Sequence, residues 1–303
     1  MAVLGLAEGY DDKPGHIITA ATEHPAVLDP CEYLRSKGWK ISVLPVDECG
    51  LVDPDAVGRA LRPDTRLISI MAANNEIGTV APIAHIGRVA RDAGVTFHCD
   101  ATQAAGYLEI DMESMSIDLL SFSAHKMYGP KGVGALCATR AARRRIRPRT
   151  FGGGHEAGLR SGTLNVPGIV GFGLACEIAA EEMPEMAERL RGLRDGLWNR
   201  VAEGVPGLEL NGHPTRRLPH NLNMYFPSAN ARAMMVQLKR TVALSTGSAC
   251  GSAKEEPSHV VRALGLGDDR PNCSIRASIG HPTSEADVDY AATRILDAYR
   301  SLG

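Results

Sequence analysis

A lysine in a tight polar turn is the first feature of this sequence that could do chemistry. Lys126 follows Ser123 and His125 at the end of the apolar run 117–122, and a Gly-Pro pair at 129–130 then stops any regular element. Such a turn can hold an amine rigidly in a cleft. Burial or nearby cations lower the pKa of a lysine there, and the free amine can form a Schiff base.

An acid occupies a comparable position upstream. Asp100 comes directly after the apolar run 95–99. A carboxylate that partners a pyridinium nitrogen and a lysine that forms a Schiff base together indicate a site for pyridoxal 5'-phosphate (PLP). Asp100 could also cap a helix that begins at Ala101, and the two roles are compatible. Lys131 is the rival lysine, but no histidine precedes it.

Eight short motifs then follow one another in a familiar order, and with them the chain resembles the cysteine desulfurases of the NifS/IscS type, within the class V aminotransferase-like PLP enzymes. Any one motif would be weak evidence, whereas eight in order across nearly the whole chain are specific. The motifs are Thr22-Glu23-His24, Asn74-Asn75-Glu76-Ile77-Gly78, Asp100-Ala101-Thr102-Gln103, Ser123-Ala124-His125-Lys126, Gly152-Gly153-Gly154-His155-Glu156, Arg160-Ser161-Gly162-Thr163, Ser248-Ala249-Cys250 and Ser274-Ile275-Arg276.

The resemblance implies a cofactor role for several of these residues. Lys126 would hold PLP as a Schiff base, and Asp100 would keep the pyridine nitrogen protonated. The remaining roles are implied in the same way. Gln103 would hydrogen-bond the phenolic oxygen, and His24 would act as a catalytic residue that stacks on the ring and assists proton transfer. Ser123 and His125 would bind the phosphate, and Thr163 would bind the phosphate of the neighbouring subunit of a homodimer. Without the resemblance, His24 is as readily interpreted as a structural histidine, and Thr163 as an ordinary loop threonine.

The resemblance also implies how the substrate is handled. Arg276 would bind the α-carboxylate of L-cysteine, and Asn75 would contact cofactor or substrate. Cys250 lies among small polar and glycine residues, which predict a mobile loop, whereas the other cysteines lie mostly in apolar runs. As a thiolate, Cys250 would attack the substrate sulfur.

One segment of the family pattern does not match. Relatives of this type begin with a further stretch that supplies a Gly-Ala-Thr-Glu phosphate-binding turn, and no such turn occurs before His24 in this chain. The expectation is an N-terminally truncated member of the family whose cofactor affinity is weakened, because backbone N–H groups at a helix N-terminus are strong phosphate ligands.

Composition limits the class of protein. The chain has 303 residues, 44% of them hydrophobic, a formal net charge of −2 and seven cysteines. No apolar run is long enough to span a membrane, so we expect a cytoplasmic protein. The sequence contains no C-x-x-C pair of the kind that binds metal ions, so we expect no metal site. The six arginines between residues 140 and 149 lack interleaved aromatic residues, and we interpret them as a solvated edge and not as a nucleic-acid site.

Alternating apolar runs and helical stripes predict the fold. Strands are expected at 16–20, 41–45, 67–72, 95–99, 117–122 and 133–138, with helices between them, so the fold class is α/β with a mostly parallel sheet covered by helices. The resemblance refines this to the PLP-dependent transferase (aspartate aminotransferase-like) fold. The predicted domains are a large PLP-binding domain at 1–182 and a smaller α+β C-terminal domain at 183–303, with strands at 222–226 and 242–244 and a final helix from Ser284.

The predicted function is an L-cysteine desulfurase. It would remove sulfur from L-cysteine, release L-alanine and carry the sulfur as a Cys250 persulfide to an acceptor protein, either an iron–sulfur scaffold or a carrier for tRNA thiolation. Two alternatives stay open. One is a selenocysteine lyase or another class V PLP enzyme, and the other is a catalytically silent PLP-fold protein that binds a partner.

Overall fold

The apolar runs in the first half of the chain form a six-stranded sheet with the order β2-β1-β3-β4-β5-β6. The computed structural model describes residues 1–10, 13–247 and 257–302. The first five strands in that order pair in parallel, and β6 pairs antiparallel with β5. The predicted α/β class with a mostly parallel sheet is therefore confirmed. The strands are β1 His16–Ala20, β2 Lys40–Leu44, β3 Thr65–Ser69, β4 Thr96–Asp100, β5 Leu119–Ser123 and β6 Gly134–Ala138.

Helices connect these strands because a parallel pair needs a crossover. β1 and β4 are buried along their whole length, which is typical of strands covered on both faces. The helix α2 shows why such a helix begins where it does. Pro25 takes its first position, and Val27, Cys31 and Leu34 form its buried stripe. The helices of this part are α1 Ala2–Glu8, α2 Pro25–Ser36, α3 Pro54–Arg59, α4 Ile83–Asp92 and α5 Arg140–Arg145.

The chain divides into two compact units. Unit 1 contains the six-stranded sheet and comprises Met1–Pro45, Val52–Ala73 and Ala81–Glu182. Unit 2 comprises Val46–Leu51, Asn74–Val80 and Met183–Gly303, so two short stretches of the first half group with the C-terminal part. The long helix α6, Val166–Gly204, contains the division between the units.

Unit 2 contains a three-stranded antiparallel sheet with the order β7-β8-β9. Its strands are β7 Glu209–Asn211, β8 Asn221–Tyr225 and β9 Ser274–Ser278, and its helices after α6 are α7 Ala231–Leu238, α8 His259–Ala263 and α9 Glu285–Arg300. The predicted final helix is confirmed as α9, which begins with a capping box in which Ser284 and Asp287 exchange side-chain and backbone hydrogen bonds. Among the described residues, no helix has the length and apolar character needed to cross a membrane.

The strand expected at 242–244 does not form. Backbone pairing begins one residue later, where Ser245 and Arg276 exchange two hydrogen bonds and make an isolated bridge. A single pair of bonds does not extend into a ladder, and residues 242–244 stay irregular.

One glycine on α4 explains how this helix approaches the chain segment before β5. A Cβ at Gly87 would collide with the carbonyl oxygen of Met115. In a helix interior, alanine is normally more stable than glycine by about 1 kcal/mol. Glycine is the better residue at position 87 because the helix packs closely against backbone there.

We therefore expect Gly87→Ala to lower the free energy of unfolding by roughly 1–3 kcal/mol, the usual cost of overpacking. Gly58→Ala is the matched control, since a Cβ there meets only Val89 Cγ1 at 3.9 Å, and it should leave stability unchanged or slightly raised. Urea unfolding of both variants measures the difference. Equal stability of the two variants would show that Met115 yields without cost.

Candidate active site

The carboxyl ends of β4 and β5 bring the first predicted site residues to one edge of the unit 1 sheet. Asp100 is the last residue of β4, and Ser123 is the last residue of β5. The two strands are parallel and in register, with Asp100 opposite Ser121, so both end at the same edge. Ligands of open α/β sheets bind at this kind of edge.

Asp100 is held in a defined orientation. Asp100 is only 8% exposed, and its Oδ1 accepts a hydrogen bond from the backbone N–H of Thr102 at 2.9 Å. Residues 102–107 form turns and not a helix, so the hydrogen bond closes a local turn instead of capping a helix. Gln103 lies half-buried in these turns, close in sequence to the carboxylate.

The turn that carries Lys126 is held in place by the packing of Ala124. Ala124 is completely buried and packs with Met127, Phe172 and Ala175 in one apolar cluster, whereas His125 and Lys126 are exposed. Ala124 to Lys126 form one short turn of 3-10 helix directly after β5. The backbone is thus fixed by packing while the amine and the imidazole remain accessible.

Ser123 and His125 form a pair. Ser123 Oγ lies 2.6 Å from His125 Nδ1. Partial burial lowers the pKa of His125 below its usual value, and the positive charges of Lys126 and Lys131 lower it further. A hydroxyl and an imidazole at hydrogen-bond distance are suited to an anion such as a phosphate.

His24 has a structural role in addition to its predicted one. It is the N-cap of α2, and its Nδ1 accepts a hydrogen bond from the backbone N–H of Ala26 at 3.1 Å. Because Nδ1 is the acceptor, the proton of the neutral ring is on Nε2. The interpretation of His24 as a structural histidine is compatible with its predicted cofactor role, because capping uses Nδ1 and stacking uses the face of the ring.

Thr163 lies in an exposed loop of unit 1, shortly before α6. The preceding Ser161 is buried, and its hydroxyl accepts a hydrogen bond from the backbone N–H of Gly154 at 3.3 Å. Gly162 has a φ of +118°, a conformation that favours glycine. The loop is therefore anchored at Ser161, two residues before the exposed Thr163.

The predicted substrate residues lie together in unit 2. Arg276, on β9, donates a hydrogen bond from Nη1 to the backbone carbonyl of Asn75 at 2.8 Å. Asn75 belongs to a turn that Asn74 shapes, since Asn74 Oδ1 accepts hydrogen bonds from the backbone N–H groups of Glu76 and Ile77. Cys250, the predicted nucleophile, lies outside the described residues.

Three buried or partly buried polar residues on neighbouring strands, His98, Ser69 and Ser121, were not predicted from the sequence. His98 is 2% exposed, and its two ring nitrogens lie 2.8 Å from Ser69 Oγ and 3.0 Å from Ser121 Oγ. Burial lowers the pKa of His98 to about 4, against an opposing effect of Asp100. The spacing in the sequence could have indicated His98, because residues 98 and 100 lie on the same face of a strand.

Glu23 is the second buried group that the sequence did not identify. It is completely buried in unit 1, and its Oε1 accepts a hydrogen bond from the backbone N–H of Met71 at 2.6 Å. Burial raises the pKa of Glu23 well above its usual value; the Met71 hydrogen bond opposes this rise, and the charge of Asp100 adds to it. The protonated form is therefore favoured.

The residue types at the carboxyl edge fit PLP. The edge presents a carboxylate for a pyridinium nitrogen, an amine for a Schiff base, and a hydroxyl–imidazole pair for a phosphate. Asp100, which carries the carboxylate, is buried, whereas Lys126, which carries the amine, is exposed. Among the described residues, no group of three or more His, Cys, Asp or Glu side chains could hold a metal ion.

The comparisons with known proteins agree with this chemistry. The aminotransferase class V family matches residues 1–291. The cysteine desulfurase IscS of Anaeromyxobacter sp. (strain Fw109-5) is 49% identical over 302 residues, which cover 100% of this chain and 74% of that protein. The cysteine desulfurase IscS of Acinetobacter baumannii (strain AYE) is 50% identical over 306 residues, with the same two coverages.

Solved structures show the same relationship. A NifS-like protein superposes with a TM-score of 0.89 at 35% identity, covering 97% of this chain and 77% of its own. DndA from Streptomyces lividans superposes with a TM-score of 0.79 at 36% identity, covering 91% and 78%.

The buried imidazole of His98 predicts a pH dependence of stability. Between pH 6.5 and about 4 the unfolded chain binds a proton at His98 that the folded chain does not, so stability falls as the pH falls. His98→Gln keeps a neutral hydrogen-bonding side chain and removes this titration. From pH 7.5 to pH 5 we expect the parent to lose about 2 kcal/mol more than the variant.

Urea unfolding at the two pH values measures this loss, and groups common to both proteins cancel. The same pH dependence in parent and variant would mean that folding does not lower the pKa of His98.

Proposed function

Since the chain belongs to the aminotransferase class V family, we propose that it is a PLP-dependent L-cysteine desulfurase. The observation that carries the proposal is the edge at which Asp100 and the Ser123–Lys126 turn meet, because it combines the groups that bind and activate this cofactor. The curated relatives that match the whole chain at about half identity are cysteine desulfurases.

The residues of unit 1 are proposed to hold the cofactor. PLP, when bound, supplies an electron-withdrawing ring that makes the Cα proton of an amino acid acidic. Lys126 carries the cofactor and later takes the Cα proton as a base, and Asp100 holds a proton on the pyridine nitrogen. Ser123 and His125 bind the phosphate, Gln103 donates to the phenolic oxygen, and His24 covers the ring.

The residues of unit 2 are proposed to act on the substrate. Arg276 binds the α-carboxylate of L-cysteine, and Asn75 fixes the position of this arginine through its backbone carbonyl. The Cys250 thiolate attacks the substrate sulfur, a sulfur–sulfur bond forms as the carbon–sulfur bond breaks, and Cα and Cβ regain protons. The products are L-alanine and a Cys250 persulfide, so no external oxidant or reductant is needed.

The chemistry of five of the six other cysteines supports Cys250 as the nucleophile, and the sixth, Cys137, is exposed on β6. Burial raises the thiol pKa of Cys31 to about 12 and that of Cys99 well above its usual value. Burial also raises the pKa of Cys49, Cys176 and Cys273. A raised pKa leaves little thiolate at neutral pH, and the thiolate is the attacking form.

The persulfide sulfur would pass to an acceptor protein, either an iron–sulfur scaffold or a carrier for tRNA thiolation. A reducing compartment such as the cytoplasm suits this transfer, and the six described cysteines are free thiols.

A homodimer is the proposed assembly, supported by an apolar stripe on α6. Val166, Val170, Leu174 and Ile178 recur every four residues, and with Ile169 they are between 42% and 66% exposed. A contiguous exposed stripe of this kind marks a protein interface. Thr163 precedes the stripe by three residues, which suits its proposed contact with the phosphate of the partner subunit.

Lys126→Ala tests the proposed function. We expect the variant to form no borohydride-reducible PLP adduct and to release alanine from L-cysteine at least about 1000-fold more slowly, since it lacks both the Schiff base and the proposed base. Lys131→Ala, an exposed lysine five residues on, is the control and should keep both properties. Mass spectrometry locates the adduct, and an adduct at Lys131 would contradict the assignment.

The double variant Val170→Lys/Leu174→Lys tests the homodimer. Two charges in the apolar stripe should convert the dimer to a monomer in multi-angle light scattering, because unpaired charges in an interface are strongly unfavourable. Val236→Lys on α7, at a position 75% exposed, is the control and should leave the mass unchanged. A parent protein that is already a monomer would refute the proposed assembly.

A further inference from the structure

One face of the three-stranded sheet in unit 2 is polar and yet buried. Side chains alternate along a strand, so every second residue points to the same face of the sheet. The face with Leu222 and Met224 is apolar, and the opposite face carries Arg276 among other polar residues. Four of these polar residues are at most 2% exposed, namely Asn211, Asn221, Asn223 and Ser274. Buried amides and hydroxyls need hydrogen-bond partners, and their partners here lie close to Arg276.

The turn Asn74–Gly78 contacts this polar face beside Arg276. Asn223 of β8 is directly opposite Arg276 of β9, so the two side chains are neighbours on one face. Arg276 Nη1 donates to the Asn75 carbonyl at 2.8 Å, and Asn223 Nδ2 donates to the Glu76 carbonyl at 3.1 Å. Two neighbouring side chains thus bind two successive carbonyl groups. One bond would let the turn pivot about it, whereas two bonds also fix its orientation.

Two further side chains donate to this turn at longer distances. Asn221 Nδ2 lies 3.3 Å from the Glu76 carbonyl oxygen, and Arg217 Nη2 lies 3.3 Å from the next carbonyl oxygen along the chain. Asn223 makes the shorter bond to the Glu76 carbonyl, and of these three donors it is the one directly opposite Arg276. Asn223 is therefore the donor best placed to act on this arginine.

The residues behind Asn223 decide which of its amide atoms faces the turn. An asparagine side chain can turn over and exchange its oxygen with its nitrogen, so its partners determine its orientation. Asn223 Oδ1 accepts a hydrogen bond from Asn211 Nδ2 at 2.7 Å, and Asn211 Oδ1 accepts one from Arg270 Nε at 2.6 Å. Because a guanidinium group can only donate, Arg270 sets the direction of every bond from itself to the Glu76 carbonyl.

Arg270 is itself held in one position. It is 5% exposed, and its Nη1 donates to the Glu209 carboxylate at 2.6 Å. Its guanidinium carbon lies 4.7 Å from the centre of the Tyr225 ring. A guanidinium group is always charged and has no acceptor, so the hydrogen bonds that start from it cannot reverse.

We propose that Asn223 is a positioning residue for the binding of L-cysteine. It holds the turn whose Asn75 carbonyl sets the position of the Arg276 guanidinium. Arg270 acts through Asn211 to keep Asn223 in its donating orientation. The inference rests on the proposed function, in which Arg276 binds the α-carboxylate of the substrate. Asn223 acts on this binding and not on the transfer of sulfur.

Two variants interrupt the bonds at different points. Asn223→Leu keeps the approximate shape of the side chain and removes its hydrogen bonds. Asn211→Asp keeps an acceptor for Arg270, whose positive charge favours the ionised carboxylate, but it has no donor for Asn223. The Asn223 amide should then turn its nitrogen toward the new carboxylate and its oxygen toward the Glu76 carbonyl. This second variant breaks the bond to the turn without altering Asn223 or the turn itself.

Ser274→Ala is the matched control. Ser274 Oγ accepts a second hydrogen bond from Asn211 Nδ2 at 2.8 Å and donates to the Arg270 carbonyl at 2.7 Å. The control therefore removes buried hydrogen bonds from the same group of residues. It leaves the bonds that lead from Arg270 to the Glu76 carbonyl intact.

With PLP and L-cysteine, we expect Asn223→Leu and Asn211→Asp to raise the KM for L-cysteine at least about fivefold, roughly the effect of one hydrogen bond. The kcat should stay within about threefold of the parent, because a loss of substrate binding raises KM alone. Ser274→Ala should keep KM within about twofold of the parent, although all three variants should lower the midpoint of urea unfolding.

Hydrogen–deuterium exchange of the same proteins supplies a readout independent of activity. The backbone amides of Glu76 and Ile77 donate to Asn74 Oδ1 within the turn. They should exchange faster in Asn223→Leu and Asn211→Asp than in the parent, and Ser274→Ala should leave their exchange unchanged.

The outcomes separate the two proposals. A parent protein that releases no alanine from L-cysteine refutes the proposed function. An active parent whose KM is unchanged in Asn223→Leu refutes the positioning role alone, and an unchanged KM in Asn211→Asp refutes the part assigned to Arg270. An equal rise of KM in Ser274→Ala also refutes the positioning role, because the effect would then follow from lost stability. Where circular dichroism shows that one of the two test variants does not fold, the other decides.

Discussion

The parallel pairing of β4 and β5 is the constraint on which the cofactor edge depends. Asp100 lies opposite Ser121, and the hydrogen bond between His98 and Ser121 shows that these side chains share one face of the sheet. Ser123 stands two residues beyond Ser121 and so shares that face. A slip of one residue would turn the Ser123 side chain away from Asp100, so register alone decides whether the donor set assembles.

The interior below this edge is polar but carries little charge. His98 is neutral at physiological pH because burial lowers its pKa, and Glu23 favours the protonated form because burial raises its pKa. Charges interact more strongly away from water. A neutral His98 and a protonated Glu23 therefore leave little charge to compete with a pyridinium nitrogen for its partner Asp100.

The sequence predicted those features that depend on local pattern. The apolar runs located the six strands of unit 1 to within a few residues, and the polar residues at their ends gave Asp100 and Lys126. Features that depend on contacts between residues far apart in sequence were not predictable. The hydrogen bond between Glu23 and Met71 joins residues 48 positions apart, and that between Arg276 and Asn75 joins residues 201 positions apart. The expected strand at 242–244 failed for the same reason, since only Ser245 finds a partner for both backbone groups.

The turn Asn74–Gly78 is where such distant pairing matters most for function. Its Asn75 carbonyl accepts a hydrogen bond from the arginine proposed to bind the substrate carboxylate, and its Glu76 carboxylate accepts one from the hydroxyl of Ser258. Both relationships are internal to unit 2. Because Asn221 and Asn223 of β8 donate hydrogen bonds to the Glu76 carbonyl, the turn that fixes Arg276 is itself attached to the three-stranded sheet that carries this arginine.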